Sequence, residues 1–159
     1  MILVTLGTQD KDFSRLIKSV EDYVKKNKIK EKVVVQAGHT IYKSDYVEIL
    51  DFVDMNTFNK LISECSILIT HGGVGSILCG INNGKKVIAA ARLKKYKEHT
   101  NDHQKQIIKE LVKDNYIVEL KNFNKLDEAI KEAKKLKVKK YISNTNNMIN
   151  LIEEYIDKL

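Results

Sequence analysis

The run His71-Gly72-Gly73-Val74-Gly75-Ser76 follows a β-branched segment, Ile67–Thr70, and opens a stretch with helical character at Gly75–Asn83. Glycines at 72, 73 and 75 let the backbone approach a ligand closely. Backbone N–H groups at a helix N-terminus attract anions, phosphate above all. Ser76 adds a hydroxyl donor, and His71 a second donor whose charge is tunable near neutrality. A tight strand-to-helix turn that merely needs small residues accounts for the same pattern. Two nucleotide motifs are testable here. A phosphate-binding P-loop requires Lys after its last glycine, and none follows Gly75. A dinucleotide fingerprint requires a third glycine where Leu78 stands and an acid at the end of the next strand, where Arg92 stands. The NAD version fails, and an NADP-like variant using Arg92 stays open.

A second cluster is Glu98-His99 with Asp102-His103-Gln104, a loop entering a helix. His99 and His103 would share a helical face only if the helix began before them, so no metal site is expected. The carboxylates, amide and imidazoles suit a polyhydroxyl ligand instead, with Asp102 as a helix cap the plainer alternative. Cys65 and Cys79 fall at apolar helical positions and read as core. No Ser-His-Asp or Cys-His order is recognisable.

Strand-like and helix-like segments alternate along the chain. Strands are expected at Ile2–Leu6, Val33–Val35, Tyr46–Val53, Ile67–Thr70, Val87–Ala91 and Tyr116–Leu120. Phe13, Leu16, Ile17, Val20 and Val24 fall at helical spacing, with Asp10 or Asp12 as cap. Further helices are expected from Asn56, over Gly75–Asn83 with Gly84 as its stop, and over Asp102–Asp114, Lys125–Leu136 and Asn146–Lys158. This order predicts a single doubly wound parallel sheet, α/β and Rossmann-like, spanning residues 1–159. In such a sheet ligands sit beyond the carboxyl ends of the strands. Four strand ends carry glycine or polar residues: Gly7-Thr8-Gln9, Gln36-Ala37-Gly38-His39, the His71 run, and Arg92.

Composition excludes several classes. Apolar residues make up 43% and charged residues 31%, a globular balance. No stretch approaches the roughly 20 apolar residues of a membrane span. Met1-Ile2-Leu3-Val4 lacks the basic lead of a signal peptide. Two cysteines fit a reducing cytoplasm. The net charge is +7, yet only two of the 28 bases are arginines, which argues against a nucleic-acid partner. Six bases and no acid fall between Lys85 and Lys97, a solvated loop or an attractor for phosphates or an anionic membrane.

The whole chain resembles the donor-binding half of GT-B glycosyltransferases of the glycosyltransferase-28 C-terminal type. It is most similar to short bacterial subunits of capsule and exopolysaccharide galactosyltransferases. It also resembles the small catalytic subunit of the eukaryotic dolichol-linked GlcNAc transferase. The matching stretches are Val4–Thr8, Gly38-His39-Thr40, Asp51-Phe52-Val53, Ile69–Ser76, and Glu98-His99 through Asp102-His103-Gln104.

The resemblance implies a UDP-sugar donor and no cofactor. Gly7 and Thr8 would face the diphosphate, and His71 with Gly72, Gly73, Val74, Gly75 and Ser76 would hold its phosphates. Backbone near Val53–Met55 would meet the uracil. Asp102, His103 and Gln104 would contact the donor sugar or ribose, with Arg92, Glu98 and His99 in the same substrate-binding set. The chain departs from the family at Ala91, where Pro is usual, and at Cys79, near an acid that relatives often use for ribose. A complete GT-B enzyme has two such domains. The resemblance therefore implies a membrane-anchored acceptor subunit as partner, holding a lipid-linked sugar and recruiting this cytoplasmic chain to the inner face of the membrane. The implied reaction is inverting transfer of a hexose, galactose, from UDP to a sugar on undecaprenyl diphosphate, with His71 stabilising the departing phosphate and the general base unassigned. A non-catalytic enhancer subunit and an NADP-binding oxidoreductase are the alternative classes.

The chain closes on an apolar stripe: Met148, Ile149, Leu151, Ile152, Tyr155, Ile156 and Leu159. Either it packs back on its own sheet or it docks the acceptor-domain partner.

Overall fold

A computed structural model describes residues 1–158. Strand β1 (Ile2–Thr5) leads to helix α1 (Ser14–Asn27), β2 (Val33–Gln36) and β3 (Glu48–Leu50). Helix α2 (Met55–Glu64), β4 (Ile67–His71), α3 (Val74–Asn82) and β5 (Lys86–Ala90) follow. Then come α4 (Gln104–Lys113), β6 (Val118–Glu119), α5 (Leu126–Lys135) and α6 (Thr145–Ile156). The six strands form one sheet in the order β3-β2-β1-β4-β5-β6, and every neighbouring pair is parallel. The expected doubly wound α/β architecture is present.

Strand side chains alternate between faces, so both faces of a parallel sheet must be covered. Ile2 and Val4 pack with Leu16, Ile17 and Val20 of α1 and Ile130 and Ala133 of α5. Leu3, Val34 and Leu68 pack on the other side with Ile62 of α2, Ile77 and Ile81 of α3, and Ile108 of α4. Gly80 lets α3 lie close to the sheet, since a Cβ there would stand 2.7 Å from both Leu68 Cδ2 and Val87 Cγ2. Gly84, at φ +66°, ends α3 as expected.

Several expectations change. The strands expected at Tyr46–Val53 and Tyr116–Leu120 shrink to three and two residues, because both lie at sheet edges with one neighbour each. Phe13 holds the cap position of α1; Asp12, one residue earlier, accepts at Oδ2 from the Ser14 N–H at 3.2 Å. Asp102 does not cap α4: His103 holds that position, and Asp102 Oδ1 accepts from the Lys94 N–H at 2.9 Å. Cys65 is buried at the end of α2 rather than within it, and Cys79 is half-buried in α3.

The basic run Lys85–Lys97 is not one patch. Lys85 and Lys86 lie at the start of β5 and Lys94, Lys95 and Lys97 beyond its end, with the strand's length between them. The apolar stripe of α6 does not pack on the sheet: Met148, Leu151 and Ile152 are 53%, 52% and 52% exposed, and Tyr155 is 68% exposed. Leu159 lies outside the described residues. Among the described residues no helix is long and apolar enough to cross a membrane.

Candidate functional site

Strand β1 has β2 on one side and β4 on the other, so the order of the sheet reverses there. Crevices form at such reversals, beyond the carboxyl ends of the strands. Parallel register levels those ends: Thr5 lies opposite both Gln36 and Thr70, Gln36 opposite Leu50, and His71 opposite Ala90. The loops leaving β1, β2, β3 and β4 therefore meet on one rim.

A cleft of about 210 Å³ opens at this rim. Gly7, Thr8 and Ser76 form its polar side, and Phe52, Val53, Met55 and Phe58 its apolar side. Gln36 completes the lining, its Nε2 donating to the Asp51 carbonyl at 3.2 Å. Gly7, Thr8, Val53, Met55 and Ser76 were expected here, and they converge. Gln36 was noted as a polar strand end and Phe52 within a matching stretch, but neither was given a binding role, and Phe58 was not singled out. The available signals were a polar residue ending the apolar strand β2 and aromatics flanking the turn into α2. Phe58 of α2 is half-buried, packing against the core on one side and lining the cleft on the other.

His71 stands behind the polar side. Its Nδ1 accepts from the Gly73 N–H at 3.0 Å, and its Nε2 lies 3.3 Å from Ser76 Oγ. Gly7 and Gly73 enclose the imidazole so closely that a Cβ on either would overlap the ring. Burial pushes the His71 pKa down to about 4, with positive charge on Arg92 and His99 acting in the same direction. The ring is thus neutral at pH 7, which corrects the expectation of a charge tunable near neutrality in the free chain. A neutral ring that accepts at Nδ1 carries its proton on Nε2.

Gly75 differs from its neighbours. A Cβ there would meet nothing within 4 Å, and its φ is not in the left-handed region. Neither packing nor backbone geometry of the free chain calls for glycine. It sits in the first turn of α3, whose N-terminus has no side-chain cap. Space and free N–H groups coincide at this point, the arrangement that admits a phosphate.

The second cluster is divided. Arg92 is 1% exposed and donates to main-chain carbonyls beneath the rim, so its guanidinium is not open to a ligand. An NADP 2′-phosphate would need that guanidinium open to solvent. Glu98 is also buried, both carboxylate oxygens accepting from Arg15 at 2.8 Å. Gln104 points inward, its Oε1 accepting from the N–H groups of Gly72 and Arg92, each at 3.0 Å. These three are structural ties in the free chain: the Arg92 guanidinium, the Glu98 carboxylate and the Gln104 carbonyl oxygen all bond within the protein. Asp102 and His103 remain exposed. Lys94 and Lys105 hold the Asp102 carboxyl below the usual carboxylate range. His103 Nδ1 lies 2.9 Å from Gln106 Oε1. Half-buried His99 accepts from the Asn101 N–H at 3.2 Å, and because α4 starts at Gln104 the two histidines share no helical face.

An open parallel sheet with a cleft at the carboxyl ends of its strands, beside a glycine-rich strand-to-helix turn, defines a doubly wound α/β domain. Within that class the chain belongs to the glycosyltransferase family 28 C-terminal domain family, whose model matches residues 1–158. It is 26% identical over 113 residues to the UDP-N-acetylglucosamine transferase subunit ALG13 of Candida albicans. That match covers 71% of this chain and 37% of the relative, so the aligned region spans well under half the relative's length. Among solved structures, ALG13 superposes with a TM-score of 0.61 at 14% identity, covering 95% of this chain and 93% of the other. MurG of Acinetobacter baumannii gives 0.63 at 15% identity, covering 95% and 49%. The structural likenesses establish the fold, that of the C-terminal half of a GT-B architecture.

Proposed function

We propose that this chain is the donor-binding subunit of a two-component inverting glycosyltransferase. It holds a UDP-sugar, and a membrane-anchored second subunit holds a lipid-linked sugar acceptor. The observation that carries the reading is the rim cleft, where an apolar side suited to a pyrimidine adjoins the open first turn of α3 at Gly75. Family membership and the printed name of the Candida relative support UDP as the nucleotide. The resemblance to bacterial galactosyltransferase subunits supports galactose as the hexose and an undecaprenyl-diphosphate-linked acceptor in capsule or exopolysaccharide synthesis.

In such a transfer the acceptor hydroxyl oxygen bonds to the anomeric carbon opposite UDP. The anomeric C–O bond breaks, its electron pair leaves on the β-phosphate, and the hydroxyl proton goes to a base. The residues lining the cleft supply no carboxylate for this step. This chain's part is to stabilise the leaving diphosphate. The N–H groups opening α3 and the Ser76 hydroxyl, which His71 Nε2–H backs at 3.3 Å, are donors held in place before the reaction, and such donors act in proportion to their preorganisation.

Calorimetric titration of the isolated chain with UDP tests the reading, followed by a thermal-shift panel of UDP-sugars. Binding of UDP is expected, with the largest stabilisation from UDP-galactose. A folded chain that binds no UDP refutes the donor site and favours an enhancer subunit.

A further inference from the structure

Arg92 is the largest fully buried side chain among the described residues. Burying a cation is costly unless it is thoroughly paired. The adjacent carboxylate does not pair with it directly, because the oxygens of Glu98 are taken by Arg15 and by the Leu93 N–H at 2.9 Å. Main-chain carbonyls hold the guanidinium instead. Nη2 donates to the Leu6 carbonyl at 2.7 Å, and Nη1 donates to the Lys11 carbonyl at 2.7 Å. Longer bonds of 3.4 Å from Nη1 reach the carbonyls of Asp12 and Glu98. The guanidinium carbon lies 4.7 Å from the centre of the Phe13 ring.

The two short bonds are informative in their spacing. Leu6 is where the chain leaves β1, and Lys11 is where it approaches α1. One rigid fork thus clips both ends of the loop that carries Gly7 and Thr8 into the cleft. Gly7 sits at φ +76°, in contact with the His71 imidazole. The Glu98 bond and the Arg92 N–H bond to Gln104 tie the same residue to the loop bearing Asp102 and His103. An aliphatic side chain would fill the volume without a buried charge, and no single ammonium matches a planar fork.

We propose that Arg92 is a positioning residue that clips the Gly7–Lys11 loop at both ends and so presets the phosphate-facing backbone of Gly7 and Thr8 for the nucleoside diphosphate. Its ligand readout rests on the donor-site reading above; its structural readout does not.

The test compares the full chain with Arg92→Lys and Arg92→Gln. Lysine keeps the charge without the fork. Glutamine keeps a planar donor without the charge but reaches one loop end only. Amide exchange followed by NMR is expected to rise at least about tenfold in both at the two ends of the loop, Leu6 and Phe13, whose N–H groups bond the Gln36 carbonyl and Thr40 Oγ1, with β4 and α5 unchanged. UDP affinity is expected to fall about tenfold in calorimetry, with no change in the UDP-galactose over UDP-glucose preference. Unchanged exchange at Leu6 and Phe13 overturns the proposal. Weakened UDP binding without loosening of that loop also overturns it, in favour of direct contact. Failure of both variants to fold assigns Arg92 to the core and overturns it as well. A wild-type chain that binds no UDP refutes the donor site alone, and the exchange measurement still decides the clip.

Discussion

Gly75→Ala separates the needs of the free chain from those of its ligand. The new methyl would meet nothing within 4 Å, and Gly75 already has a helical, negative-φ backbone in the first turn of α3. Alanine therefore adds no clash and reduces the entropy lost on folding. A glycine-to-alanine change inside a helix is worth about 0.5–1 kcal/mol, with the lower value fitting a first-turn position. For a chain of this size that raises Tm by about 1–4 °C. A phosphate seated on the same turn would have to move off the N–H groups by about the width of a methyl. Losing one well-made charge-assisted hydrogen bond costs about 1.5–3 kcal/mol, so UDP affinity should fall by about 10- to 150-fold. Thermal unfolding and calorimetry on the same preparation measure both numbers. A more stable variant that binds UDP as well as the parent would refute the placement of phosphate at Gly75. A variant that loses stability would refute the open space on which the argument stands. Gly73→Ala makes the contrast, since its Cβ would overlap the His71 ring and should lower Tm.

His71→Ala should leave the fold intact and lower transfer by about 10²–10³-fold in a complex reconstituted with its acceptor subunit; near-normal turnover would remove His71 from the phosphate site. The pH dependence of stability carries the sign of a depressed histidine. With a folded pKa of about 4 against 6.5 unfolded, the neutral ring's contribution is complete above pH 6.5 and is lost as pH falls from 6.5 through about 4. It amounts to at most about 3 kcal/mol, and denaturant unfolding of wild type and His71→Asn across that window should converge by about this amount; parallel curves would contradict it. Deleting residues 148–159 should leave Tm and UDP binding nearly unchanged, because the α6 stripe is exposed, and should release the chain from its membrane partner in co-purification. An unfolded or aggregated truncation would place the stripe in the core, and a retained partner would place the interface elsewhere.

Local information in the chain was sufficient for most of the architecture. Short β-branched apolar runs located the strands, which are buried on both faces, and 3.6-period apolar patterns located the helices, of which α1 to α5 bury one face against the sheet. The His71–Ser76 turn was legible for the same reason: glycines between an apolar strand and a helix act through their own backbone. Edge strands β3 and β6 came out shorter than their apolar runs, since only the ladder partner sets where a strand ends.

Tertiary structure alone decided what the polar residues do. Arg92, Glu98 and Gln104 look like ligands in a rim loop, yet their bonds run to Leu6, Lys11, Arg15 and Gly72, far away in the chain. No spacing rule anticipates a carbonyl 81 residues distant that makes a buried guanidinium tolerable. The protonation state of His71 was equally hidden, because it depends on burial between Gly7 and Gly73 and on the field of Arg92. The basic run Lys85–Lys97 separated because a strand crosses the sheet between its halves, and the α6 stripe stayed in solvent because both faces of the sheet are already covered. Residue type and spacing determine which groups can bond; only the folded chain determines which of those bonds are already taken.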